Sequence, residues 1–370
     1  MSKISLLFII GTRPEAIKLA PLIKVFQGNN VDFIVRVCST GQHREMVNEV
    51  LTFFNIKIDV NLDIMQVQQS LFDITTRCMK GLEKVLNDIK PDWVFVQGDT
   101  TTAFMSALSA YYLKIKVAHV EAGLRSFNKY APFPEEMNRK LISHIADIHF
   151  AATVKNRENL LNEGIELASI HVVGNTVVDA LHWTLNKLQQ NRAIFRDIDF
   201  SKKIILVTAH RRENWGVGIE NIIAAISSML NNRHDIQFVL PLHPNPIVSE
   251  PFKNNFTDNP NVHLLAPLRY EHFVDLMNQC YIILTDSGGV QEEAISLRKP
   301  VLVMRNITER SEGIDMLNAV LVGTRSDVIE KKIYKLLDNN VLYAEMTQGK
   351  NPYGDGNTSD RILKIMTPTE

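Results

Sequence analysis

The sequence lacks the features that mark several common protein classes. Its three cysteines, Cys38, Cys78 and Cys280, have no paired spacing, so they predict neither a disulfide framework nor a metal site, and we assign them no role. With 17 glycines and 14 prolines in 370 residues, the composition is not that of a fibrous or disordered chain. The first apolar run spans about seven residues, too few for a membrane span, and no cleavage site follows it. We therefore expect a cytoplasmic globular protein.

Neither sign of charge is in excess, because 40 basic residues balance 41 acidic ones. A near-neutral chain argues against nucleic acid or an anionic membrane as the main partner. The sequence also has no Walker P-loop, no Gly-x-Gly-x-x-Gly at the first helix and no His-Glu-x-x-His. Its only Asp-x-Asp, at 197–199, lies in a polar stretch rather than after a strand. We expect no metal and no cofactor.

The length and the pattern of apolar runs predict two domains. Short apolar runs alternate with amphipathic stretches, a pattern typical of βαβ units and parallel sheets. The predicted strands are 4–10, 33–38, 93–96, 117–120 and 148–151, then 204–208, 237–240, 262–265, 282–285 and 301–304. Helices are predicted at 15–26, 44–54, 71–88, 100–112 and 135–146. The predicted fold class is α/β, with two doubly wound sheets facing a cleft and a boundary in the polar stretch 190–203.

Ligands of doubly wound sheets bind beyond the carboxyl ends of the strands, so the residues there are the functional candidates. Gly11 to Glu15, and then Lys18, place cations at a helix N-terminus that suits anions, although a turn with solvated charges would look the same. Asp99 follows the third strand and could be catalytic or could cap the next helix. Glu121 ends the next strand. Two adjacent strands that bring carboxylates to one edge favour acid–base chemistry.

Further charged residues follow in both halves of the sequence. Glu135 and Glu136 begin a predicted helix, where glutamate could merely offset the helix dipole; Glu135 is the better candidate for function. His210 and Arg211 follow the strand 204–208. Burying their charge is costly unless an anion or carboxylates share the site, which favours contact with a ligand. His243 could also face the cleft.

The sharpest local signal is Ser287-Gly288-Gly289, which follows the strand 282–285 and opens a helix. Glycines there leave backbone N–H groups open to a phosphate, and Glu293, about one turn later, could accept both hydroxyls of a ribose. Arg305 and Arg310, beyond the next strand, would add cations near the same phosphates. Together these residues predict a nucleotide-diphosphate site.

Nine ordered motifs run along the whole chain: GTRPEAIK at 11–18, GQHREM at 41–46, GDTTT at 98–102, HVEAGLR at 119–125, PEEMNR at 134–139, GNT at 174–176, HRREN at 210–214, TDSGGVQEE at 285–293 and NPYGDG at 351–356. Together they resemble the motifs of the non-hydrolysing UDP-N-acetylglucosamine 2-epimerases. The resemblance implies a GT-B architecture of two Rossmann-like domains with the active site between them. The last helix would cross back, so that 1–180 and 357–370 form the first domain and 181–356 the second.

The resemblance also implies the reaction. The family interconverts UDP-N-acetylglucosamine and UDP-N-acetylmannosamine by eliminating UDP to give 2-acetamidoglucal and adding it back, which supplies N-acetylmannosamine units for bacterial surface polysaccharide. It implies no cofactor and a homodimer. Carried over by motif, the catalytic residues are Asp99, Glu121, Glu135 and His210. The substrate-binding residues are Arg13, Lys18, Phe273, Ser287, Gly288, Gly289, Glu293 and Arg310.

Some members of the family bind a second UDP-N-acetylglucosamine as an activator, and Gln42, Arg211 and His243 fit such a site. The sequence departs from regulated relatives at Glu45, where they have an amide, and at Gln68 or Gln69, where they have an arginine. Leu268 stands where some relatives have a uracil-contacting glutamine.

Three rival functions use parts of the same residue pattern. A hydrolysing 2-epimerase would release N-acetylmannosamine and UDP, whereas a GT-B glycosyltransferase would pass the sugar to an acceptor. A non-catalytic nucleotide-sugar sensor would not need Asp99, Glu121 and Glu135 together. The pattern leaves open which carboxylate acts on which face of C2.

Overall fold

The computed structural model describes residues 3–66, 69–188 and 195–368. The chain divides into two compact units. The first unit comprises Met1–Trp183 and Tyr353–Glu370, and the second comprises Thr184–Pro352. Gln68 and the first part of the polar stretch 190–203 lie outside the described residues.

The first unit contains a seven-stranded parallel sheet of order β3-β2-β1-β4-β5-β6-β7. Its strands are β1 (Ile4–Ile10), β2 (Phe33–Ser39), β3 (Val60–Asn61), β4 (Trp93–Gln97), β5 (Lys116–Ala122), β6 (Ile148–Ala151) and β7 (Ile170–Val172). The helices between them are α1 (Arg13–Gly28), α2 (Arg44–Phe53), α3 (Leu71–Ile89), α4 (Thr101–Tyr112), α5 (Glu135–Ile145) and α6 (Val154–Asn162), and α7 (Thr176–Lys187) follows β7. A short 3₁₀ helix, Leu167–Ser169, precedes β7.

The second unit repeats this winding with a six-stranded parallel sheet of order β10-β9-β8-β11-β12-β13. Its strands are β8 (Lys203–Thr208), β9 (Ile236–Pro241), β10 (Val262–Leu265), β11 (Ile282–Thr285), β12 (Val301–Val303) and β13 (Ala319–Leu321). Its helices are α8 (Val217–Asn232), α9 (Pro246–Phe256), α10 (Tyr270–Gln279), α11 (Gly288–Ser296), α12 (Ser311–Asp315), α13 (Ser326–Asp338) and α14 (Asn340–Gln348), with a 3₁₀ turn at Arg212–Asn214.

The central strands are apolar along their whole length because helices cover both faces of each sheet. Leu6 to Ile10 of β1 are all fully buried, and Phe8 stacks on Phe95 of β4 with ring centroids 4.6 Å apart. Local signals set the helix limits: Ser70 and Asp73 form a reciprocal capping box at the start of α3. Among the described residues, no helix is both long enough and apolar enough to cross a membrane.

The final helix, α15 (Thr358–Met366), belongs to the first unit and packs on α1. The backbone N–H of Ser359 donates to Oδ1 of Asp179 on α7 (2.6 Å), and Arg361 donates to the carbonyl of Val173 (3.1 Å). Gly356 has a φ of 83°, and a Cβ there would lie 2.2 Å from the His182 ring. Only glycine fits this turn.

The predicted fold class, two Rossmann-like α/β units with the last helix returning to the first, is confirmed. Every predicted strand and helix is present to within two residues at each end. The sequence analysis did not predict β3, β7 and β13, which have two or three residues each and lie at sheet edges.

We expect Asp179→Ala to destabilise the first unit by about 1 kcal/mol, because the variant removes the acceptor for an N-terminal N–H group of α15. Urea unfolding followed by circular dichroism would measure the change. Asp360→Ala is the matched control, since Asp360 is an exposed acid in the first turn of α15, the turn that Asp179 contacts. Equal loss in the two variants would contradict a specific role for Asp179.

Candidate active site

The candidate residues lie at the carboxyl ends of strands, beside the point where each sheet reverses its order. That point falls between β1 and β4 in the first unit and between β8 and β11 in the second. The helices that follow the two strands run to opposite faces, which leaves a crevice between their ends. Each unit therefore gathers its own set of predicted residues at one edge of its sheet.

Lys18 and Glu121 form a buried ion pair in the first unit. Lys18 lies in α1 and Glu121 in β5, and their side chains are only 7% and 9% exposed. Nδ2 of Asn175 also donates to Oε2 of Glu121 over 2.9 Å. Because an unpaired buried charge is costly, each partner allows the other to be buried. The structure brings these two predicted residues together and adds Asn175, which the sequence analysis missed.

The backbone at Glu121 is held in an uncommon conformation. Its φ of 65° lies in the left-handed region, which residues with side chains seldom adopt. The register of β5 on β6 shifts at the same point, between Val120 and Ala122. An irregularity of this kind redirects a side chain from the regular alternation of a strand, and such features recur beside active sites.

Asp99 follows β4 but does not cap α4. The cap is Thr100, whose hydroxyl accepts from the N–H of Ala103 (3.0 Å). Two consecutive residues of α5 hold Asp99 instead: Nδ2 of Asn138 donates to its carbonyl (2.9 Å), and Nε of Arg139 donates to its Oδ2 (2.9 Å). The capping alternative is therefore wrong, and Asp99 keeps its carboxylate at the sheet edge beside Glu121's strand.

Glu135 and Glu136 have different surroundings at the start of α5. Glu135 is half-buried. Glu136 is fully buried, and its two carboxylate oxygens accept from the N–H groups of Ser126 (3.0 Å) and Phe127 (3.1 Å). Glu136 therefore fixes the loop that follows β5, a role that dipole compensation alone would not need.

The carboxylate of Glu15 occupies the helix N-terminus that the sequence predicts as an anion site. Its Oε2 accepts from the N–H groups of Thr12 (2.6 Å) and Gly11 (3.1 Å), and its Oε1 accepts from the Thr100 hydroxyl (2.8 Å). The Glu15 carboxyl group thus already accepts hydrogen bonds from these backbone donors, which the sequence analysis did not predict. Gly11 also serves packing, since a Cβ there would lie 2.3 Å from Oγ1 of Thr102.

Burial raises the pKa of Glu15 from its ordinary value of 4.5 to about 7, and its hydrogen bonds offset only part of that effect. The side chain is 1% exposed, so solvent contributes almost nothing to stabilising its charged form.

The remaining predicted binding residue of this region, Arg13, is the first residue of α1 and is half-buried.

In the second unit, His210 lies against the buried carboxylate of Asp286. Nδ1 of His210 is 2.8 Å from Oδ1 of Asp286, and Oδ2 accepts from the N–H groups of His210 and Arg211, each at 2.9 Å, and from Asn214 at 3.0 Å. Burial acts to raise the pKa of Asp286, but His210 and the backbone donors hold it below its ordinary value. Asp286 orients the imidazole so that Nε2 points away from it.

His243 follows β9, and its ring stacks on that of His210 with centroids 6.1 Å apart. Burial lowers the pKa of His243, and the proximity of His210 lowers it further. Nδ1 of His243 accepts from the N–H of Asn245 (3.1 Å), which fixes the neutral tautomer. Two other residues are predicted for a second nucleotide site. Arg211 lies in the second unit, with Nη2 3.9 Å from Oε1 of Glu309. Gln42 lies in the first unit, where its Oε1 accepts from the Thr102 hydroxyl (3.0 Å).

Ser287, Gly288 and Gly289 start α11, as the sequence predicts, and the Ser287 side chain does not cap the helix. The guanidinium of Arg310 lies against Gly288, because a Cβ there would be 2.4 Å from Nη1. Among the described residues, apart from its chain neighbours and the backbone of its own helix, nothing lies within 4 Å of a Cβ built on Gly289. Gly288 thus accommodates an arginine, and Gly289 leaves the helix N-terminus open to an anion.

Arg310 and Arg305 share a cluster with two carboxylates. Arg310 donates from Nε to Glu292 (2.8 Å) and from Nη1 to Glu309 (2.5 Å), and Arg305 donates to Glu309 (2.9 Å). Burial acts to raise the pKa of Glu309, but the guanidinium groups hold it well below its ordinary range. Glu309 therefore stays charged and keeps both arginines beside the start of α11.

The last two predicted residues lie on helices of the same unit. Glu293 is a buried residue of α11, and Phe273 is half-buried in the first turn of α10. In the part of the chain that the structure describes, no three His, Cys, Asp or Glu side chains are grouped so as to hold a metal ion.

Comparisons with known proteins give one consistent family. A sequence profile of the UDP-N-acetylglucosamine 2-epimerases matches residues 27–367. The UDP-N-acetylglucosamine 2-epimerase of Campylobacter jejuni is 47% identical over 372 residues, which span 98% of this chain and 97% of the relative.

Solved structures agree with that result. The Neisseria meningitidis UDP-GlcNAc 2-epimerase bound to UDP-GlcNAc superposes with a TM-score of 0.93 at 46% identity, over 98% of this chain and 99% of that one. The Methanocaldococcus jannaschii enzyme in complex with UDP-GlcNAc and UDP gives 0.85 at 36% identity, over 98% and 99%.

Glu15 is expected to make stability depend on pH. On folding its pKa rises to about 7, so the folded chain keeps a proton that the unfolded chain loses near 4.5. The stabilisation is complete below about 4.5 and is lost as the pH rises through about 7. As the pH rises from about 5 to about 8, the free energy of unfolding of the wild type should fall by about 2 to 3 kcal/mol more than that of Glu15→Gln, because glutamine does not titrate.

Urea unfolding at several pH values would measure this difference. Glu83→Gln is the control, because Glu83 is an exposed residue of the same unit and should leave the pH dependence unchanged. Parallel curves for Glu15→Gln and the wild type would show that Glu15 does not titrate in this range.

Proposed function

The chain belongs to the UDP-N-acetylglucosamine 2-epimerase family, and on that premise we propose that it interconverts UDP-N-acetylglucosamine and UDP-N-acetylmannosamine without hydrolysis. The observation that carries the proposal is the delivery of Asp99 and Glu121 to one sheet edge by the adjacent strands β4 and β5. Such a pair of carboxylates suits proton transfer at a carbon of the sugar.

The proposed chemistry begins at C1 rather than C2, because the C2 hydrogen of an N-acetyl sugar is barely acidic. The bond from C1 to the diphosphate oxygen breaks, positive charge develops at C1, and a base takes the C2 proton to give 2-acetamidoglucal and UDP. The intermediate then gains a proton on the opposite face of C2, and the diphosphate oxygen bonds to C1 again. Atoms and charge balance without a cofactor.

We assign the proton transfers to the first unit. Asp99 is the proposed base at C2, and Glu121 and Glu135 serve the return step or stabilise the charge at C1. Lys18 and Arg13 join the binding set. The ion pair with Lys18 and the amide of Asn175 would hold Glu121 in one orientation during both steps.

We assign the nucleotide to the second unit. The open helix N-terminus at Ser287, Gly288 and Gly289, with Arg310 beside it, suits the departing diphosphate, on which negative charge develops. His210, oriented by Asp286, would bind the same group. Glu293 is the proposed ligand of the ribose hydroxyls, and Phe273 packs near the base.

Several finer features belong to the same proposal. The reaction would occur in the cytoplasm, where the three buried free cysteines stay reduced, and would supply N-acetylmannosamine units for bacterial surface polysaccharide. A second UDP-N-acetylglucosamine could act as an activator through Gln42, Arg211 and His243. The alternatives are a hydrolysing 2-epimerase and a GT-B glycosyltransferase.

NMR of the purified protein with UDP-N-acetylglucosamine in D₂O tests the function, with no cofactor or acceptor added. We expect UDP-N-acetylmannosamine with deuterium at C2, because the acid that protonates the opposite face carries a deuteron taken from the solvent. Free UDP with N-acetylmannosamine would instead indicate the hydrolysing reaction, and unchanged substrate would direct attention to a transferase.

In the Asp99→Asn variant, the rate of hydrogen exchange at C2 should fall by at least about 100-fold, because the proposed base is removed. The same NMR experiment measures this rate, and normal exchange would refute the assignment of Asp99.

We also propose a homodimer formed through an apolar surface of the first unit. Helices α3, α4 and α5 pack side by side, and they and the loop before α5 expose large apolar side chains. This α3–α5 surface comprises Phe72, Tyr111, Tyr112, Phe127, Tyr130, Phe133, Met137 and Leu141. Clusters of exposed apolar side chains often mark subunit interfaces.

Light scattering during size-exclusion chromatography should therefore give twice the chain mass for the wild type. A double variant, Phe72→Glu with Tyr112→Glu, should shift the mass toward that of one chain, since it places charge within the apolar interface. Val31→Glu is the control, because Val31 is an exposed apolar residue in the loop between α1 and β2 and is not part of the α3–α5 surface. A monomeric wild type would refute the proposal.

A further inference from the structure

The contact between Arg139 and Asp99 has a geometry that a simple structural ion pair does not need. Two nitrogens of the guanidinium, Nε and Nη2, both donate to the same oxygen, Oδ2 of Asp99. Within the described ranges, Oδ1 of Asp99 has no hydrogen-bond partner. An arginine normally gains most from a carboxylate by bonding both of its oxygens in parallel.

A second arginine in the same unit shows the ordinary arrangement. Arg125, in the loop after β5, bonds both oxygens of Glu163, with Nε 3.0 and 3.1 Å from them and Nη2 2.6 Å from Oε2. Its side chain is as well buried as that of Arg139. The single-oxygen contact at Asp99 therefore reflects that site and not burial in general.

The position of Arg139 is itself fixed from two sides. Its Nη1 donates to Glu136 one helical turn earlier (3.0 Å), and Glu136 is bound in turn by two backbone N–H groups of the loop after β5. Asn138 meanwhile holds the carbonyl of Asp99. Both the backbone and one carboxylate oxygen of Asp99 are thus attached to α5, while its side chain stays 22% exposed.

We propose that Arg139 is a positioning residue, which holds Asp99 by Oδ2 so that Oδ1 is kept available for proton transfer at C2 of the sugar. The inference rests on the proposed function. Arg139 does not touch the substrate; it acts by removing the rotational freedom of the carboxylate, and a misplacement of about 1 Å can cost about 100-fold in rate. Because Glu136 shares the guanidinium, the network of three side chains keeps a net negative charge for the base.

The test compares rates with substrate that carries hydrogen or deuterium at C2. In Arg139→Gln we expect kcat to fall by about 10- to 100-fold with KM nearly unchanged, and the deuterium isotope effect on kcat to rise as proton removal becomes the slow step. A smaller fraction of folded enzyme would lower kcat but leave the isotope effect unchanged. Arg139→Lys, which keeps a cation but not the fork, should give an intermediate result and covers the case in which Arg139→Gln does not fold.

Arg125→Gln is the matched control, because it also removes a buried arginine from its carboxylate but makes no contact with Asp99. It should lower stability and keep the wild-type isotope effect. An isotope effect that stays at the wild-type value in both Arg139 variants would overturn the proposal. Absence of deuterium incorporation at C2 by the wild-type enzyme would instead refute the proposed function, so the two failures are distinguishable.

Discussion

The ion pair between Lys18 and Glu121 holds the carboxyl edge of the first sheet together. It joins α1, which follows β1, to β5 past the intervening strand β4, and neither charge could be buried without the other. The left-handed backbone at Glu121 persists because this contact and the Asn175 amide determine where the carboxylate lies. Asn175 extends the link, since its N–H donates to the carbonyl of Tyr353 in the returning C-terminal segment (2.8 Å).

In the second unit, too, a buried charge must be paired, and here the buried charge is a carboxylate surrounded by hydrogen-bond donors. There the carboxylate of Asp286 is fully buried, and the groups around it are donors: His210, the N–H of Arg211 and Asn214. Arg310 lies against a helix N-terminus that Gly289 leaves open. The residues proposed for proton transfer in the first unit are therefore carboxylates, whereas those proposed for the diphosphate in the second unit are donors, which fits the proposed reaction.

Sequence patterns predicted the central strands because strands covered on both faces are continuous apolar runs. The edge strands β3, β7 and β13 were too short to form such a run. At the sites, the rule that ligands bind beyond strand ends found Asp99, Glu121 and Ser287. It could not predict which side chains pair: Lys18 and Glu121 are 103 residues apart and Arg139 and Asp99 are 40 residues apart, so no local pattern records either pair.

The hydrogen bonds of Glu15 make the starts of α1 and α11 different, although the two units have similar folds. Each unit has a glycine-containing turn beside its switch point, between β1 and α1 in the first unit and between β11 and α11 in the second. Turns of this kind can bind a phosphate. In the first unit the chain supplies its own acceptor, because Oε2 of Glu15 accepts from two N–H groups of the turn between β1 and α1. In the second unit the helix start at Gly289 has no such internal acceptor among the described contacts, which is why the proposed function assigns the diphosphate to that unit.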